Sequence, residues 1–192
     1  MTFDDIFKTR DTQQDNFRSR LFEMCSEDIV RFWATGDAPY RAPEGRPTIY
    51  EGAAHATIDF TLERREDGRL FVAEQKSELA WMGYAFLRLG DVEQVKHHRG
   101  RPAFDGFLEA AIDPARRLQK TAGKATPSDG AILVRGAVSE KGRAAAMKEF
   151  GFADVLSLEE MVADLRARKD PEWAAHVERL VGYASGLFEA LR

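Results

Sequence analysis

The strongest constraint on the fold is an alternation of short apolar runs with helix-like segments in the last third of the chain. The run from Gly130 to Gly136 is apolar apart from Arg135 and is bounded by turn residues, which predicts a buried central strand. Ser139 then stands at a helix N-cap position, and the helix is expected to end at Gly151. Strands that alternate with helices in this way are typical of an α/β domain with a central mixed β-sheet flanked by helices.

The remaining segments complete this pattern. Residues 56–63 alternate apolar and polar side chains, and residues 69–76 form a second strand-like run, so together they predict a β-hairpin closed by a polar turn at 64–68. The other predicted elements are a helix from about Asp11 to Thr35, a loop from Asp37 to Pro47, strand structure from about Thr48, a helix over Ala103–Ala111, a polar stretch from Thr121 to Asp129, a strand at Phe152–Leu156, a helix from Ser157 to about Arg168 and a terminal helix from Pro171 to about Leu191.

Length and composition fit one globular domain. The chain has 192 residues, of which 44% are hydrophobic and 31% charged, enough apolar material for a packed core. We expect the domain to span residues 1–170 and the helix over 171–192 to pack on it or to form an interface. The sequence has no run of the roughly 18–20 apolar residues that a membrane span needs, and charged residues follow Met1 too closely for a signal peptide. A soluble, cytoplasmic protein without a membrane partner is therefore expected.

Basic residues are concentrated in one part of an acidic chain. The net charge is −4, yet residues 95–124 contain seven basic and three acidic residues. Such asymmetry favours a cationic face for phosphate contacts over general coating of nucleic acid, although a solvated helix surface gives the same pattern. The residues expected to contact nucleic acid are Lys96, Arg99, Arg101, Arg116 and Lys120.

The predicted hairpin brings together two carboxylates and an amine. Asp59 lies on the polar face of the first strand, and Glu74 and Lys76 share one face of the second. Neighbouring strands are about 4.7–4.9 Å apart, so Asp59 and Glu74 could share a divalent cation with Lys76 near a water on that cation. The same residues also fit a solvated hairpin with ordinary cross-strand ion pairs.

The hairpin resembles the signature of the PD-(D/E)xK nuclease superfamily. The two parts of that signature stand here as Ile58-Asp59-Phe60 and Glu74-Gln75-Lys76, with Ile58 where some members have a proline. Residues 130–161 also resemble the strand–helix–strand–helix segment of type IV restriction endonuclease catalytic domains. Together the resemblances span roughly Asp15 to Arg168.

This resemblance implies a restriction-endonuclease-like core that hydrolyses DNA phosphodiester bonds with Mg²⁺ or Mn²⁺. By position in the motif, Asp59, Glu74 and the Gln75 carbonyl would bind the metal, and Lys76 would position the attacking water. Asp59, Glu74 and Lys76 are then the expected catalytic residues.

A further acid on the first helix completes the site in many members of the superfamily. Glu23, Glu27 and Asp28 are the candidates, and Asp28 is favoured because it falls within the predicted apolar stripe, although it could simply pair with a cation such as Arg31. Glu51, which shares strand parity with Asp59, is the remaining contender.

Two other interpretations stay open at this point. The scaffold could serve as a non-catalytic nucleic-acid-binding or assembly module, or the chain could be an α/β protein in which Glu74 and Lys76 only pair with each other. DNA is the expected partner, with RNA as the alternative, and the terminal helix offers a surface for a homodimer. His97 and His98 could contact phosphate or bind a metal, but a basic surface loop is favoured.

Overall fold

The protein is an α/β structure built on a mixed β-sheet. The computed structural model describes residues 25–43, 46–51, 54–78, 86–114, 118–121 and 124–191. Its helices are α1 (residues 25–35), α2 (Glu93–Lys96), α3 (Pro102–Ile112), α4 (Glu140–Phe150), α5 (Leu158–Ala167) and α6 (Pro171–Ala190). Its strands are β1 (Tyr40–Arg41), β2 (Thr48–Glu51), β3 (Ala54–Thr57), β4 (Phe60–Arg64), β5 (Leu70–Gln75), β6 (Arg88–Leu89), β7 (Leu118–Thr121), β8 (Lys124–Pro127), β9 (Ala131–Arg135), β10 (Ala137–Val138) and β11 (Asp154–Ser157).

The central sheet has the strand order β1-β4-β5-β9-β11. β4 and β5 form the predicted antiparallel hairpin, with Phe60 opposite Ala73. β5 then pairs in parallel with β9, and β9 in parallel with β11. Every residue of β9 is buried, as expected for a central strand with neighbours on both sides.

Helices cover both faces of this sheet. One face packs against α1 and α5, through side chains such as Trp33 and Met161. The opposite face packs against α3 and α4, where Phe104 and Phe150 join Val72 of β5. Alternate residues of β5 therefore point into different cores, and Glu74 shares a face with Val72, on the α3 side. The prediction of a mixed sheet flanked by helices is confirmed.

A second sheet accounts for the segments that the sequence analysis interpreted differently. Its order is β3-β2-β7-β8, with all pairs antiparallel. The strand structure predicted from about Thr48 to Glu63 is present as β2, β3 and β4. The chain bends at Asp59 between β3, in the second sheet, and β4, in the central one. β1 lies in the predicted loop, and β8 lies in the predicted polar stretch. A short parallel pair, β6 with β10, completes the strands of the described residues.

The predicted helix ends are confirmed in the last third of the chain. Ser139 Oγ accepts a hydrogen bond from the Gly142 backbone N–H at 3.0 Å, and Gly151 ends α4 in the left-handed conformation at φ 74°. Ser157 Oγ similarly accepts the Glu160 N–H at 3.3 Å at the start of α5. These local bonds satisfy backbone groups that helix ends leave unpaired.

The terminal helix α6 is attached to α1 through its first turns. Trp173 and His176 pack against the Phe32 ring, with centroid distances of 5.7 and 4.8 Å. Farther along, Val181 and Leu187 are exposed, so the predicted homodimer through this helix stays a prediction. Among the helices within the described ranges, none has the length and apolarity needed to cross a bilayer.

Gly142 provides a test of the packing between α4 and β6. A Cβ at Gly142 would collide with the backbone carbonyl of Leu89, which also accepts the Ser139 N–H at 3.1 Å. Gly142→Ala is therefore expected to lower the free energy of unfolding by about 1–3 kcal/mol, the usual cost of overpacking, despite the better helix propensity of alanine. The measurement is urea denaturation followed by circular dichroism.

Gly182→Ala is the matched control. Gly182 lies in the interior of α6, and a Cβ there would meet open space among the described residues. Alanine should therefore stabilise the protein by about 0.5–1 kcal/mol through helix propensity alone. Equal effects of the two substitutions would contradict the packing described here.

Candidate active site

Asp59 is fixed at the end of the β4–β5 hairpin by the backbone of β5. It lies in the bend before β4, one position beyond the Phe60–Ala73 pair, and so stands opposite Glu74 in the extended register. Its Oδ2 accepts a hydrogen bond from the Gln75 N–H at 2.8 Å. The carboxylate thus accepts the hydrogen bond that a backbone carbonyl of the neighbouring strand would accept if regular β-pairing continued.

Glu74 and Lys76 lie together on the α3 side of the sheet. Glu74 occupies β5 with only 6% of its side chain exposed, and Lys76, 19% exposed, forms an ion pair with Glu74 Oε1. The Lys76 ammonium also donates to the Gln75 carbonyl at 3.3 Å and lies 5.8 Å from the centroid of the Phe104 ring. Glu74 Oε2 is buried and has no hydrogen-bond partner within the described part of the chain.

Gln75 connects the hairpin to α1 on the other side of the sheet. Its Nε2 donates to Ser26 Oγ at 2.6 Å, and Ser26 is almost fully buried. A serine at position 26 matches no motif, and its distance in sequence from Gln75 gives no indication of contact. The sequence analysis therefore missed this hydrogen bond. Ser26 holds the Gln75 side chain away from the face that carries Glu74.

Burial dominates the electrostatics of the two carboxylates. Desolvation raises the pKa of Asp59 above its usual value, against the opposing effects of the Gln75 N–H and the Lys76 ammonium. Desolvation, followed by the negative charge of Asp59, likewise raises the pKa of Glu74 in spite of Lys76. The effect of Asp59 on Glu74 agrees with the positions of the two residues opposite each other in the extended register of the hairpin.

Of the two described acids of α1, Glu27 is the one whose charge acts on Asp59, and Asp28 pairs elsewhere. The charge of Glu27 raises the pKa of Asp59, whereas Asp28 Oδ2 lies 3.0 Å from His176 Nε2 and its Oδ1 3.7 Å from Arg31. The sequence analysis favoured Asp28 because it falls within the predicted apolar stripe, of which Phe32 is a member. Phe32 packs beneath α6 instead, so the helix is rotated relative to that expectation.

The side chains of the other two candidate acids, Glu23 and Glu51, are not described by the structure. Glu23 lies outside the described residues. Glu51 lies on β2 in the second sheet, where its backbone is opposite Ala54. The predicted role of either acid stays a prediction.

The structure describes the side chains of three of the five residues predicted to contact nucleic acid, Lys96, Arg99 and Arg101. Lys96 is paired with Glu93 at 2.7 Å and with Glu149 at 3.4 Å, which largely neutralises its charge. Arg99 lies over the Phe150 ring at 5.4 Å. Arg101 is exposed and precedes α3. Arg116 lies outside the described residues, and of Lys120 the structure describes only its backbone place on β7.

Comparisons with protein-family models, with curated proteins and with solved structures found no match for this chain.

The raised pKa values of Asp59 and Glu74 give a pH dependence with a definite sign. The folded protein retains a proton that the unfolded chain has already released, so stability is lost as the pH rises from about 4, the pKa of a free aspartate. In EDTA, we expect Asp59→Asn to be more stable than the wild type at pH 7 by about 1 kcal/mol, the usual size of a single-residue effect. The difference should shrink towards pH 4.

Urea denaturation at several pH values measures this difference. Glu66→Gln, at an exposed residue of the β4–β5 turn, controls for the loss of a surface carboxylate. A constant difference between the wild type and Asp59→Asn across the pH range would contradict the assignment of a desolvation penalty to Asp59.

Proposed function

We propose that this protein is a metal-dependent nuclease that hydrolyses DNA phosphodiester bonds. The observation that carries the proposal is the convergence of Asp59, Glu74 and Lys76 at the end of one hairpin, with a buried carboxylate oxygen of Glu74 left without a described partner. These are the residues that the PD-(D/E)xK resemblance selects. The mixed sheet flanked by helices agrees with the restriction-endonuclease-like core that the same resemblance implies.

The donor set fits a hard divalent cation. Asp59 offers the carboxylate oxygen that is not bonded to Gln75, and Glu74 offers Oε2. Mg²⁺ and Mn²⁺ prefer such oxygen ligands. Partial desolvation is the main cause of the raised pKa values of the two carboxylates. A bound cation would also offset the free-energy cost of that desolvation. The ion would neutralise charge on the phosphate and make a bound water more acidic.

Lys76 is placed to act on the water or the phosphate. Its ammonium lies beside Glu74 Oε1 and the Gln75 carbonyl, and the adjacent Phe104 ring limits its exposure to water. In this surrounding a positive charge can orient an attacking water and stabilise the negative charge of the pentavalent transition state. Glu74 and the Gln75 carbonyl hold the ammonium at that position.

One observation favours a second candidate, a non-catalytic nucleic-acid-binding or assembly module. Lys76 already satisfies Glu74 Oε1, and removing either partner of such a pair would leave a buried charge uncompensated, so the pair can be retained without any metal. In that protein the neighbouring charges would be structural. Metal binding separates the two candidates.

A Mg²⁺ titration by calorimetry is the first test. Wild type is expected to bind Mg²⁺, and Glu74→Gln should weaken binding because an amide is a poorer ligand for a hard cation than a carboxylate. Binding should also weaken at low pH, since protons compete for the same oxygens. Absence of heat from the wild type above buffer dilution would favour the non-catalytic module.

Cleavage of plasmid DNA tests the activity itself. With Mg²⁺ the wild type is expected to cut the plasmid, and Asp59→Asn and Lys76→Ala should each reduce the rate by about 100-fold or more, as expected for groups that act on the transition state. Lys141→Ala, which removes an exposed lysine from α4, is the matched control and should keep full activity. Equal cleavage by wild type and both site variants would show that the activity does not come from this site.

A further inference from the structure

A second group of polar side chains lies beside the candidate active site, on the α3 side of the sheet. Glu78 follows β5, His97 and His98 follow α2, and Arg135 ends β9. The Phe104 ring separates this group from the first, because its centroid lies 5.4 Å from the His98 ring and it also contacts Lys76. The surface loop expected for the two histidines is not what the structure shows, since the side chain of His98 is only 6% exposed.

Three atoms of this group that can bind a metal converge. Glu78 Oε1 lies 3.3 Å from His98 Nε2 and 3.6 Å from His97 Nε2, and the three residues offer ligand atoms that all lie within 4.8 Å of one another. With zinc–ligand bonds of about 2.0–2.1 Å, two ligands of a tetrahedral zinc ion are about 3.3–3.4 Å apart. The two measured separations are therefore close to those of a zinc site.

The hydrogen bond made by His97 directs a lone pair towards Glu78. His97 Nδ1 lies 3.1 Å from the Gln94 carbonyl oxygen, and a carbonyl can only accept, so Nδ1 carries the proton. In the neutral ring Nε2 is then an acceptor that faces another acceptor, Glu78 Oε1. A histidine that ligates a metal commonly donates its other N–H to a backbone carbonyl, as His97 does here.

Arg135 fixes the carboxylate of Glu78 from the opposite side. The Arg135 side chain is completely buried and donates from Nη2 to Glu78 Oε2 at 2.9 Å. This bond leaves Oε1 as the oxygen that points to the histidines. Hydrogen bonds of this kind to the second oxygen of a ligating carboxylate orient metal ligands in known centres.

His98 supplies an independent indication of a ligand. Both of its ring nitrogens are buried, and in the described chain neither makes a hydrogen bond of acceptable geometry. Leaving buried polar atoms unsatisfied costs free energy, and coordination would recover it.

We propose that Glu78, His97 and His98 bind a zinc ion, with water as the fourth ligand. Two imidazole nitrogens and one carboxylate oxygen suit Zn²⁺, whereas the all-oxygen set of Asp59 and Glu74 suits Mg²⁺. The ion would link the segment after α2 to the segment after β5. It would thereby stabilise the region next to the candidate active site at Asp59 and Glu74. The inference does not depend on the proposed nuclease activity.

Calorimetric titration with Zn²⁺ on the full chain tests the inference. We expect one zinc ion per chain for the wild type and at least about tenfold weaker binding for His97→Gln, which removes a partly exposed ligand without disturbing Arg135. Substitution by Co²⁺ should give the visible absorption of a tetrahedral cobalt centre in the wild type and not in His97→Gln. His176→Gln, on α6, is the matched histidine control and should bind as the wild type does.

A second variant locates the ion. Asp59→Asn should leave zinc binding unchanged, since Asp59 belongs to the other group. Loss of zinc binding in Asp59→Asn, equal binding by His97→Gln and the wild type, or no binding by the wild type would each overturn the inference. None of these outcomes depends on DNA cleavage, so the proposed nuclease activity and the zinc site can fail separately.

Discussion

The hydrogen bond from the Gln75 N–H to the Asp59 carboxylate is the interaction on which the candidate active site depends. Regular pairing of β4 with β5 ends at Phe60 and Ala73, and the chain bends there towards the second sheet. The bond ties that bend to β5 at 2.8 Å. It therefore holds Asp59 opposite Glu74 although no strand continues through residue 59.

The same geometry places charged groups in poor contact with water. Burial and then the negative charge of Asp59 raise the pKa of Glu74, and Lys76 offsets this only in part. Stability alone does not favour such an arrangement, because apolar residues of similar size would pack there at lower cost. Functional sites commonly retain this kind of penalty. A second ion pair, between the buried Arg135 and the half-buried Glu78, lies on the other side of Phe104, so one face of the sheet carries both unusual groups.

Local patterns predicted the features that depend on neighbouring residues. The β4–β5 hairpin, buried β9 and the caps of α4 and α5 follow from alternation, turn residues and N-cap serines. Features set by distant partners were missed: β1 and β8 are short strands completed by pairing elsewhere in the sheets. For the same reason Asp28 was preferred to Glu27, since the packing of Phe32 under α6 is not visible in a helical wheel. The burial of His98 against Phe104 is equally non-local.

The most direct test of this account is a crystal structure of the protein soaked in Mn²⁺, with anomalous scattering used to locate the ion. We expect an anomalous peak between the free oxygen of Asp59 and Oε2 of Glu74, at about 2.1 Å from each oxygen, with Lys76 turned towards the ion's water ligands. A map with no peak there, in which Lys76 remains bonded to Glu74 and fills the space between the carboxylates, would contradict it.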